Sequence, residues 1–207
     1  VGGQVVNLWG PHGHHREIYI PMYGPGQADN AAAALTAVEA FLDGPLDDDV
    51  VTEGLGGIAL PGRMEVLARH PLVVADGAHN KDAARHLASA IPESFTANRL
   101  ILVLGVLEPH DPTEIIDELS ALSPEVVVTC TAPSGRAVPA ELLAAAGADR
   151  GLEVEAVPEP TDAVTRAVGL AGEDGLVVVA GTFYIVSPAR RAVFALGVQQ
   201  GREEEEF

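Results

Sequence analysis

The sequence predicts an α/β protein whose main domain is a mostly parallel sheet with helices on both faces, preceded by a hairpin and helix from another domain. Three observations predict it. Leu72-Val-Val-Ala75, Leu100-Ile-Leu-Val-Leu104, Val126-Val-Val-Thr-Cys130 and Leu176-Val-Val-Val-Ala180 are short, nearly uninterrupted apolar runs, as strands buried on both faces should be. Helical patterns separate them in regular alternation, which joins parallel strands by crossovers. Right-handed crossovers leave few topologies, all Rossmann-like. The first sixty or so residues lack this alternation and carry two β-type runs and one long alanine-rich stretch instead.

In chain order, Gln4-Val-Val-Asn-Leu-Trp9 and Glu17-Ile-Tyr-Ile-Pro-Met22 read as a hairpin around Gly10 to His15, a loop too long for a two-residue turn. His12, His14 and His15 there are a metal-binding group or a polar loop tip. The lack of a carboxylate or thiol at a matching interval favours the tip. Ala28 to Leu42 is helical, with Ala31, Leu35, Val38, Ala40 and Leu42 apolar and Asp29 near the positive end. A hairpin and one helix cannot bury themselves alone, so residues 1–45 are expected to be the tail of a larger domain. Residues 46–62, within a Gly-, Asp- and Pro-rich stretch from Asp43, are expected to be a linker, 63–200 the second domain and 201–207 a solvated, disordered acidic tail.

The second domain opens with Leu60-Pro-Gly-Arg63-Met-Glu-Val-Leu67, where Arg63 presents a planar fork to a phosphate or carboxylate, or pairs with Glu65 or Asp76. The strand Leu72–Ala75 then meets Asp76-Gly-Ala-His79-Asn80, with Gly77 allowing a tight turn. Asn80 caps a helix through Ile91 that Pro92 helps to stop. Asp76 and His79 thus lie at the carboxyl end of a parallel strand, where open α/β sheets bind ligands. The same residues also describe an ordinary βα turn. Beyond them Asp111 caps a helix from Pro112 to Leu122, and Pro139 to Ala146 is a helix stopped by Gly147. Leu152 to Val157 is a strand and Thr161 to Leu170 a helix. Gly181 to Val186 continues the last strand, and Ser187 caps a final helix.

Composition narrows the function. The chain has 207 residues, 47% hydrophobic and 20% charged, with a net charge of −18, which argues against binding to nucleic acid or anionic membrane. Its one cysteine, Cys130, excludes an internal disulfide and fits a cytoplasmic setting. No apolar run reaches the roughly 18–20 residues of a membrane span, and no signal peptide opens the chain. The chain starts at Val1 rather than Met and is read as part of a longer protein. Neither G-x-x-x-x-G-K-[ST] nor G-x-G-x-x-G is present, and the single lysine, Lys81, lies outside any phosphate-cradling loop. By itself the chain should not turn over ATP by a P-loop mechanism.

Gly24-Pro-Gly-Gln-Ala-Asp-Asn-Ala-Ala-Ala-Ala34, Leu60-Pro-Gly-Arg-Met-Glu65, Asp76-Gly-Ala-His-Asn80, Leu104-Gly-Val-Leu107 and Gly181-Thr-Phe-Tyr184 occur in an order that resembles folylpolyglutamate synthase/dihydrofolate synthase, the folate branch of the Mur ligase superfamily. Singly these motifs are weak; together they are specific. The resemblance covers the carboxyl-terminal half of such an enzyme: the end of its central ATPase domain and its whole glutamate-ligase domain, the Mur ligase C-terminal fold. It implies ATP-dependent joining of L-glutamate to a folate or dihydropteroate carboxylate through an acyl phosphate. Asn30 then resembles the central-domain asparagine near adenine, Arg63 the linker arginine on the nucleotide phosphates, and Asp76 a carboxylate that helps hold ATP. His79 resembles the histidine lining the adenine or glutamate cleft. No catalytic residue and no metal ligand is implied in this chain, because the nucleophile is the substrate amine. The P-loop, the Mg2+ ligands and most of the pterin site belong to the missing amino-terminal half.

Two departures put details in question. Gly26 stands where the family often has His, and Glu108-Pro-His-Asp111 replaces the usual Ala-Asp-Lys-Asp. Two other readings stay open: a stand-alone Rossmann-like binding or regulatory domain without catalysis, and a ligase acting on a peptidoglycan precursor. The wording of the Asp76–Asn80 and Gly181–Tyr184 motifs favours folate over the latter.

Overall fold

Alternating apolar residues make Gln4–Gly10 (β1) and Gly13–Ile20 (β2) an antiparallel hairpin, with Leu8, Ile18 and Ile20 turned to one buried side. In the computed structural model, which describes residues 2–198, the chain divides after Arg63 into two compact units. The expected acidic tail lies outside the described residues.

The first unit departs from expectation in two places. Gly10 pairs with Gly13, so the hairpin closes through the two residues Pro11 and His12, and His14 and His15 belong to β2 rather than to a loop. Gly10 suits this because a Cβ there would fall 2.2 Å from the Glu39 carboxylate. The stretch expected to be a linker contains a helix, α2 (Asp48–Gly56), which follows α1 (Pro25–Leu42) and packs on β2. Its low apolar content hid it: Val51 is its one buried residue, Leu55 packs partly buried on the same cluster, and a polar bond adds a tie. His15, 4% exposed, donates from Nδ1 to Asp48 Oδ1 at 2.5 Å, so it works as a tie within the unit. Its Nε2 faces Oε1 of the fully buried Glu39 at 3.9 Å, while Glu39 Oε2 accepts the His12 backbone N–H.

The second unit has the alternating order expected. Its strands are β3 (Glu65–Arg69), β4 (Leu72–Ala75), β5 (Leu100–Leu104), β6 (Val126–Thr129), β7 (Val154–Ala156) and β8 (Leu176–Ala180). They form one sheet in the order β3-β4-β8-β5-β6-β7, parallel except for β3, which runs antiparallel to β4. Helices α3 (Lys81–Ser94), α4 (Pro112–Leu119) and α5 (Ala140–Ala148) pack in sequence on one face, α6 (Pro160–Ala171) and α7 (Val186–Ala195) on the other. Adjacent residues of β6 show the division: Thr129 hydroxyl donates to Ala140 O of α5, whereas Val128 joins the core under α6 and α7. The edge strand β7 has only three residues, and its Glu155 is gripped through both oxygens by Arg166 of α6.

Side-chain caps start two of the α-helices, α3 and α4. Asn80 Oδ1 accepts the Ala83 N–H at 2.9 Å and Asp111 Oδ1 the Thr113 N–H at 2.8 Å, as N-caps should. The Thr113 hydroxyl and then its N–H hold the Asp111 carboxyl below the ordinary carboxylate range. Two expected stops do not act as such. α3 runs through Pro92 to Ser94, because a proline near the end of a helix interrupts few remaining bonds. Gly147 lies inside α5, where a Cβ would approach Val154 Cγ2 at 3.0 Å; it is small for packing, not for turning. Among the described residues no helix is long and apolar enough to cross a membrane.

Cys130 is fully buried beyond the end of β6, and desolvation pushes its thiol up to about 12, with Glu159 adding to the effect. A thiol reagent at pH 8 should therefore leave the folded protein unmodified and label one thiol per chain once the protein is unfolded in urea. Rapid labelling of the folded protein would contradict this burial.

Candidate functional site

Topology locates the site before any side chain does. β8 lies between β4 and β5, yet the helix after β8 leaves by the opposite sheet face from those after β4 and β5. Such switch points open a crevice outside the carboxyl ends of the strands. The loops after β4, β8 and β5 meet there. They carry Asp76–Asn80, Gly181–Tyr184 and Gly105–Asp111.

The β8 loop is shaped by backbone. Gly181 has φ +108°, and a Cβ there would fall 2.2 Å from the Gly105 carbonyl oxygen. Only glycine tolerates both conditions. The chain cannot continue as strand past this point, so the expected extension to Val186 is replaced by a turn and a 3-10 segment, Phe183–Ile185. Thr182, buried, accepts the Tyr184 N–H and starts that turn, and α7 begins at Val186, so Ser187 lies inside the helix instead of capping it. Phe183 is thereby laid across Gly77, where a Cβ would come 2.3 Å from the ring. Gly77 has no left-handed φ; its smallness makes room for that ring.

The predicted residues divide between the units. In the first, Asn30 is exposed in the second turn of α1 and donates to Gln27 Oε1 at 3.2 Å, and Arg63 is the last residue. In the second, Asp76 and His79 share one loop. Asp76, 8% exposed, accepts the Met64 N–H on Oδ2 at 2.9 Å and the Ala78 N–H on Oδ1 at 2.8 Å. His79 Nδ1 lies 3.1 Å from Gly77 O; a carbonyl only accepts, so Nδ1 carries the proton of this bond. The His79 ring meets His110 edge-on at 5.2 Å and Phe183 at 6.5 Å.

The rim thus offers two imidazoles, an aromatic face and an anchored carboxylate, suited to binding and aligning a polar ligand. Among the described residues no group of three or more His, Cys, Asp or Glu is placed to hold a metal ion. Four participants were not singled out from sequence. Phe183 and Thr182 lay within a quoted motif. His110 had a signal, since it immediately precedes the N-cap of α4 as His79 precedes that of α3. Met64 had none, because its φ of +45° is unreadable in a methionine.

Residues 62–183 match the family described as Mur ligase, glutamate ligase domain. The dihydrofolate synthase/folylpolyglutamate synthase of Mycobacterium tuberculosis is 38% identical over 183 residues, 84% of this chain and 37% of that protein. A probable bifunctional folylpolyglutamate synthase/dihydropteroate synthase of Halobacterium salinarum is 37% identical over 172 residues, 83% of this chain and 20% of that protein. The structure of Mycobacterium tuberculosis folylpolyglutamate synthase complexed with ADP and AMPPCP superposes with a TM-score of 0.85 at 34% identity, covering 98% of this chain and 47% of that one. The chain therefore spans less than half the length of these relatives.

The two rim glycines should respond differently to alanine. Gly181→Ala drives a Cβ into backbone at a left-handed φ and should cost about 3 kcal/mol or more. Gly77→Ala meets the outer atoms of the Phe183 ring, a side chain 40% exposed that can shift by rotating about its own bonds, and should cost under about 1 kcal/mol. Urea unfolding of both variants measures the contrast.

Proposed function

The chain belongs to the Mur ligase family through its glutamate-ligase domain, and from that premise we propose that it is the carboxyl-terminal part of an ATP-dependent ligase joining L-glutamate to a folate or dihydropteroate carboxylate. The observation that carries this reading is a coincidence of sequence and topology. The motif segments Asp76–Asn80, Gly105–Leu107 and Gly181–Tyr184 all belong to the loops at one switch point. A site for an unrelated ligand would have no reason to gather those three.

The acceptor carboxylate attacks the γ-phosphorus of ATP, and the bond to the ADP oxygen breaks. The glutamate amine then attacks the acyl carbon; a C–N bond forms, the C–O bond to phosphate breaks, and the amine loses a proton. In this reaction protein groups position and shield rather than attack. Arg63 holds the nucleotide phosphates through its fork, Asn30 lies near adenine and Asp76 helps to hold ATP. His79, its Nδ1 tied to Gly77 O, presents Nε2 to adenine or to the incoming glutamate. Mg2+ and the P-loop are assigned to the amino-terminal half, so this chain alone is inactive. ATP and glutamate supply place the reaction in the cytoplasm.

The gene upstream of Val1 should encode a P-loop in the same frame. In the complete ligase, Arg63→Ala and Asp76→Asn should each lower turnover by at least about tenfold, roughly 1.4 kcal/mol. Wild-type rates in both variants, or no ATP-dependent addition of glutamate by the wild type, would refute the reading.

A further inference from the structure

The antiparallel ladder of β3 and β4 pairs Glu65 with Ala75, so the next pair in register is Met64 with Asp76. The paired residues end at Glu65 and Ala75, and the Asp76 N–H faces the other way, donating to Val179 O of β8. The Met64 N–H is taken up by the Asp76 side chain instead, at 2.9 Å, while the other carboxylate oxygen accepts the Ala78 N–H. Met64 is buried and left-handed at φ +45°, two residues after Gly62 at φ +68°. A methionine avoids that conformation and keeps it only where its surroundings hold it. A carboxylate-to-backbone bond in a buried setting is one of the stronger restraints available.

We propose that Asp76 is a positioning residue for the ligase reaction: by holding Met64 in its left-handed form, it fixes the direction in which the chain delivers Arg63, the residue bonded to the Met64 nitrogen. The inference rests on the reading of Arg63 as a phosphate ligand and refines the role of Asp76, which acts on the nucleotide through the neighbouring residue. It also gives a reason for a carboxylate at this place. Two backbone donors point at two oxygens, and an asparagine would turn an NH2 group toward one of them.

The first test needs no substrate. In the ligand-free 207-residue chain, trypsin should cut after Arg63 at least about tenfold faster in Asp76→Asn than in wild type, since cleavage follows local opening. Cleavage after Arg190 and Arg191 should be unchanged, which reports that the second unit stays folded. Asp76→Ala should show a larger increase. Wild-type cleavage after Arg63 in Asp76→Asn would overturn the proposal.

The second test is a double-mutant cycle in the complete ligase. Asp76→Asn should raise KM for ATP by at least about tenfold in the wild-type background and by less than about twofold in Arg63→Ala. Equal increases in both backgrounds would mean that Asp76 acts independently of Arg63 and would overturn the proposal. If the wild-type ligase adds no glutamate, the functional reading fails while the proteolysis result still decides whether Asp76 restrains the joint.

Discussion

Strand β8 is the last strand made and is bonded on both sides, to β4 through Leu72–Ala75 and to β5 through Leu100–Leu104. Every residue of it is buried. Without it the sheet would be two separate pieces, β3-β4 and β5-β6-β7. Because its chain leaves by the opposite face from its neighbours, the strand that completes the core also opens the crevice. Stability and site therefore share one element. The glycine at its end, Gly181, is where the two demands meet: sheet pairing brings the Gly105 carbonyl so near that no side chain fits.

Much of this was legible in sequence. The uniform apolarity of Leu72–Ala75 and Leu176–Ala180 marked strands with two buried faces, and Asn80 and Asp111 marked helix starts by chemistry that works locally. Readings failed where a residue answers to a distant partner. Gly77 is small for the Phe183 ring, Gly147 for Val154, and Gly181 for Gly105 O, all remote in sequence. The helix Asp48–Gly56 had too little periodicity to show itself, with Val51 its one buried residue and Asp48 bonded to a histidine 33 residues away. Of the site, Asp76 and His79 fall on one loop of the switch-point rim, but the backbone contacts of Asp76 could not be foreseen.

The first unit encloses polar groups beside an apolar centre. Leu8, Ile18, Ile20, Leu35 and Val51 make its apolar centre. Within the same unit His15 and Glu39 are enclosed with carboxylate and imidazole edges facing each other, and Asp48 meets the other side of the ring. The two facing atoms, His15 Nε2 and Glu39 Oε1, are desolvated 3.9 Å apart with no hydrogen bond among the described residues, so this enclosure costs stability that the apolar centre must offset.

The two rims of the sheet bear on how the protein behaves in a crowded solution. A free strand edge is a template on which another chain can build. Here one edge, β7, is three residues long and holds Glu155 clasped by Arg166, and the other, β3, begins at Glu65 clasped by Arg190 and ends at Arg69. Brevity on one side and charge on both deny a newcomer a long, flat, uncharged ladder. A sheet so rich in valine and leucine thus ends at both rims in the features that disfavour edge-to-edge growth.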